Sequence, residues 1–134
     1  MITHFDVNWL AVVLATVASF AFGAAWYMSL GNRWMVALGR SREELGVGPT
    51  PFIWSVVVEL IMAYFIALLV PALLGEVTVV NGLIVAAHMW FGFVITSMIM
   101  NHRYEGMSWT LTIIDGLHML GVLLIQGVVI GIFG

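Results

Sequence analysis

Four side chains able to carry or exchange a proton lie inside long apolar runs: Glu59, His88, Asp115 and His118. Asp115 and His118 share the last run, Ser108 to Phe133, which is long enough at roughly 39 Å to cross a hydrocarbon core of ~30 Å as one helix. Ser108 is a good N-cap for it, because a serine hydroxyl accepts from an orphan N–H of the first turn. The i, i+3 spacing puts Asp115 and His118 on nearly the same side. Thr112, Met119, Val122 and Gln126 continue the Asp115 face. An ionised Asp facing lipid costs at least about 2.5–3.5 kcal/mol. Asp115 is therefore expected to face protein or water.

Counting residues from the cytoplasmic end of each span places Glu59 near 12 Å, Asp115 near 10 Å, His118 near 15 Å and His88 near 18 Å, all roughly. Three helices thus bring ionisable groups to one height, and an intramembrane polar site of Glu59, His88, Asp115 and His118 is expected. Carboxylates and histidines in spans suit a proton or small-ion relay. A metal site would draw on the same N and O donors, but no His-x-x-Glu or His-x-x-x-His pair sits on one helix. A b-type haem on His88 and His118 is disfavoured by the two carboxylates. The remaining reading is a buried polar network that sets helix register and oligomer state. No cofactor is expected.

The 134 residues are 63% hydrophobic and 8% charged, with a mean hydropathy of +1.11, beyond what a soluble domain of this size requires. One all-α domain over 1–134 is expected: an integral membrane bundle of four transmembrane helices, with a short interfacial helix between the first and second. Without cysteine there is no disulfide, thiolate metal site or cysteine nucleophile. A net charge of −3 gives no basic patch, which argues against a nucleic-acid partner. No Ser-His-Asp order, glycine-rich phosphate loop or paired catalytic carboxylate stands out, so no enzymatic activity is expected. His4 and His102 read as interfacial and solvated, and the nine methionines as core filler.

Val7 to Met28 reads as the first span. It has no basic n-region and ends in Trp26-Tyr27, unlike a signal peptide. Ala11, Ala15, Ser19 and Gly23 recur every fourth residue and form a seam for helix contact. Gly31 to Thr50 breaks the pattern. Asn32 is expected to cap a short interfacial helix, Arg33 to Leu38, and Ser41 to Glu44 fits a capping box. Thr50 is expected to cap a second span, with Pro51 at its first helical position, ending near Leu74. A third runs from about Val79 to Asn101, with Asn81, His88, Gly92 and Thr96 on or near one face. In the fourth, Gly127 and Gly131 form a small-xxx-small motif.

All four arginines, Arg33, Arg40, Arg42 and Arg103, fall in the first and third loops. The positive-inside rule then puts those loops in the cytoplasm and both termini outside. Each half reads span, arginine loop, span, a hint of parallel duplication. Four short spans enclose little volume, so the expected partners beyond the lipid bilayer are further copies of the chain or a larger membrane complex. The Ala15 and Gly127 seams are the candidate contacts.

Gly23-Ala24-Ala25-Trp26-Tyr27, Trp34 with Gly39, Gly92-Phe93, Ile114-Asp115-Gly116 and Gly127 to Gly131 resemble the domain of unknown function 1761 family. The resemblance covers nearly the whole chain. It implies a short bacterial inner-membrane protein with about four spans, and it brings no activity and no catalytic residue.

Overall fold

The computed structural model describes residues 6–46 and 48–134; His4 lies outside them. The described chain is all-helical, and four of its helical stretches are long and apolar enough to cross a membrane.

The first stretch, α1, runs Trp9–Leu38. Asn8 caps it by accepting from the Ala11 N–H at 3.2 Å. Gly39 ends it at φ 79°, a left-handed conformation that suits glycine, with its N–H returned to Met35 and Val36. The break expected at Gly31 is absent, and so is a separate helix beginning at Arg33: both belong to one unbroken α1. A single helical glycine costs only about 1 kcal/mol against alanine. Contacts across that point outweigh the cost. Trp34 meets the Tyr27 ring edge-on, and Ala37 O accepts from the Ser108 hydroxyl at 3.0 Å.

The short helix between the first two spans is α2, Arg42–Leu45. Ser41 and Glu44 form its capping box as expected. The second span, α3, covers Thr50–Leu74. Thr50 is its first helical residue and not its cap; Pro49 stands at the cap without a side-chain bond.

The third span has three parts: α4 (Val79–Met89), a π-helical turn (Trp90–Val94) and α5 (Ile95–Tyr104). A regular helix was expected throughout. The wider turn re-aims the residues around it, so that Trp90 Nε1 donates to Gly116 O at 2.8 Å while Ile95 fills the space beside Gly116. The fourth span, α6, is Trp109–Ile132, with Ser108 accepting from the Leu111 N–H.

Helix α6 is the centre of the bundle and packs on α1, α3 and α4. Small residues let it do so. Gly82 of α4 and Gly127 of α6 cross backbone to backbone, and a Cβ on either would strike the other's main chain. Gly131 lies equally close to Thr78 and Val79. On α1, Ala11, Ala15, Ser19 and Gly23 are all buried. Both seams therefore face the chain's own helices, and a contact with a second chain has to use another face.

Candidate functional site

The structure divides the expected cluster in two. The deeper group is built on Glu59, Ser19 and Gln126. Glu59 is buried, and Ser19 and Gln126 are fully enclosed. Gln126 Nε2 donates to the Glu59 main-chain oxygen at 2.9 Å and to Ser19 Oγ at 3.2 Å. The Ser19 hydroxyl in turn donates to Thr16 O at 3.2 Å. Two acceptors remain with no donor: Glu59 Oε1 and Gln126 Oε1. A buried polar atom without a partner carries a penalty of about 1–3 kcal/mol, so two such oxygens beside one hydroxyl mark this layer as chemically unfinished.

The second group lies nearer the start of α6. Tyr27 donates its hydroxyl to Asp115 Oδ1 at 2.6 Å. Its ring also meets the His118 imidazole edge-on at 4.8 Å, while Phe22 lies parallel to the imidazole. Gly23 makes the room: a Cβ there would stand 2.7 Å from His118 Nε2. Trp26 Nε1 donates to Ile114 O at 3.1 Å, and with Trp90 on Gly116 O the two indoles clamp the α6 backbone on either side of Asp115.

Glu59 and Asp115 do not share a height. Gln126, which marks the Glu59 level, is eleven residues beyond Asp115 on α6, roughly 16 Å along the axis. Counting from the first residue of each span placed them together because it assumed a common starting level. The spans are staggered instead. Phe52, in the first turn of α3, meets Phe20 of α1, whereas Ser108 at the start of α6 meets Ala37. Between the two groups lies an apolar layer in which Phe22 fills the space beside Gly121 and Val122 is fully buried.

His88 joins neither group. It is exposed on the outer face of α4, with Nδ1 2.7 Å from Ile84 O. Hydropathy counts give its depth but not its direction, and the α4 face turned to α6 is the one holding Gly82, Val85 and Ala86. His88 and His118 are thus not brought together, as a haem between them requires. Among the described residues no three His, Asp or Glu side chains converge on one point.

A third polar cluster closes the arginine end. His102 Nδ1 lies 2.7 Å from Thr112 Oγ1, and Arg103 Nη2 donates to Met107 O and to Thr112 Oγ1. The Arg103 guanidinium covers the Trp109 ring. Sequence reasoning missed Tyr27, which it names only as part of the Trp26-Tyr27 end of the first span, and listed Gln126 only as a member of the Asp115 face. The signal for Gln126 was its type: an amide midway through an apolar helix needs partners.

The architecture is that of a polytopic helical membrane protein. A family model described as "Protein of unknown function (DUF1761)" matches residues 10–131, nearly the whole chain. The protein belongs to that family. No curated protein and no solved structure matches it.

Proposed function

We propose that the chain is a small inner-membrane protein, non-enzymatic, that passes protons or small cations through its own bundle. The observation that carries this reading is Glu59: a carboxyl buried among three helices, with one oxygen unpartnered and, among the described residues, no cationic side chain beside it. Burying such a group without a partner is costly, and spans retain ionisable residues where ions or protons move. Asp115, Tyr27 and His118 form a second station toward the arginine end. Phe22, Gly121 and Val122 are the seal between the stations. Arg33 near the end of α1, Arg40 and Arg42 just beyond it and Arg103 near the end of α5 support a cytoplasmic placement of that end, with both termini outside. In proteoliposomes, wild-type protein should give a pH-dependent flux that Glu59→Gln and Asp115→Asn each abolish while the protein stays monodisperse. Absence of flux from wild type under every gradient refutes the reading.

A second reading, a non-transporting subunit of a larger membrane complex or of a homo-oligomer, is favoured by a different observation. The third span is the least enclosed: 11% of its most apolar window is buried, against 39% for α6. It turns His88, Thr96, Ser97 and Asn101 outward. This reading predicts a defined co-purifying chain that is lost on His88→Leu. Enlarging Gly127 or Gly131 tests the fold and not the partner, because both glycines are spent inside the chain.

A further inference from the structure

Resting on the pathway reading above, we infer that the ion handled at Glu59 is a proton and not a metal cation, with Glu59 held as an un-ionised acid whose O–H is donated to Gln126 Oε1. The orientation of Gln126 is the starting point. Its Nε2 faces the Glu59 main-chain oxygen at 2.9 Å, so the amide cannot be reversed without setting oxygen against oxygen. Gln126 Oε1 is therefore an acceptor by necessity, and it has no donor. Glu59 Oε1 is in the same condition. Gln126 bonds both the Ser19 hydroxyl and the Glu59 main chain, which places the three residues in one layer.

One proton on the carboxyl resolves both deficits, because it turns a Glu59 oxygen from acceptor to donor and supplies Gln126 Oε1. A metal cation fits this layer poorly. Hard cations stripped of water take about six oxygen ligands. The side-chain oxygens here are those of Glu59, Gln126 Oε1 and Ser19 Oγ. The main-chain oxygens in reach are engaged: Glu59 O by Gln126, Thr16 O by Ser19 and Val12 O by Thr16.

The surrounding titratable groups leave Glu59 to itself. Asp115 and His118 of α6 lie two to three turns away along the axis, and Tyr27 of α1 lies with them. His88 of α4 points outward. The proton arrives from water on one side, binds the Glu59 carboxylate, and leaves toward the Asp115 and His118 station at the arginine end. Gln126 only accepts the O–H and is never itself protonated; it is a positioning residue.

Infrared spectroscopy of the full chain in lipid vesicles tests this. At neutral pH the carbonyl stretch of an un-ionised carboxyl should be present in wild type and in Asp115→Asn and absent in Glu59→Gln. In Gln126→Leu it should move to higher frequency, as a lost hydrogen bond requires. Replacing potassium by sodium should leave it unchanged. No such band in wild type, a band that disappears on adding sodium, or an unmoved band in Gln126→Leu overturns the acid–amide pair. The pathway reading fails separately: a band with these properties and no flux in the same vesicles removes transport and keeps the pair.

Discussion

The Tyr27 hydroxyl donates to Asp115 Oδ1 at 2.6 Å and ties the first span to the fourth across 88 residues of sequence. The same tyrosine ring lies against His118, one turn further along α6. Removing the hydroxyl leaves the ring in place and takes a donor from a half-buried carboxyl. Tyr27→Phe should lower stability by about 1–3 kcal/mol, read as a fall in the thermal unfolding midpoint in detergent. Tyr27→Phe combined with Asp115→Leu should cost less than the sum of the two single changes, since residues in contact are coupled.

Gly82→Ala and Gly127→Ala should each damage the fold severely. The new methyl group meets main-chain atoms of the facing helix, which have no rotamer to escape into. The cost is placed at the upper end of the about 1–3 kcal/mol typical of overpacking. Gly92→Ala is the control, because nothing lies within 4 Å of its added Cβ. Its unfolding midpoint should not fall below that of wild type.

Gly31→Ala should stabilise. Gly31 lies inside α1, its added Cβ meets nothing within 4 Å, and its φ is not positive. The unfolded chain loses freedom that the helix does not use, for a gain of about 0.4–1 kcal/mol. A midpoint unchanged or lowered would show that α1 is interrupted at that point.

The four spans were legible because apolar length and caps are local. Ser108, the Ser41–Glu44 box and the end of α3 near Leu74 stand where their residue types put them. The stagger was not legible, since it is set by pairs such as Phe20 with Phe52 and Ala37 with Ser108, which no single span encodes. That stagger is why Glu59 and Asp115, equal in depth by counting, belong to separate layers. The π turn at Trp90–Val94 was equally hidden, because an extra residue in a turn changes direction without changing composition. The outward turn of His88 follows from which face of α4 meets α6, the one holding Gly82, Val85 and Ala86, and composition alone does not fix that face.

His88→Leu should leave any flux through the bundle unchanged, because its side chain lies outside both polar layers. If the third span serves a partner, the same substitution should release that partner in native electrophoresis. Flux lost on His88→Leu would contradict the division of the site described above.

The central claim is that an ion crosses at Glu59, and one measurement addresses it most directly. Purified protein is placed in vesicles enclosing a pH-sensitive dye, and a potassium diffusion potential is applied. Wild type should acidify the lumen at a rate that rises with protein density, and Glu59→Gln should reduce that rate to the protein-free leak. Equal rates for the two proteins would contradict the claim.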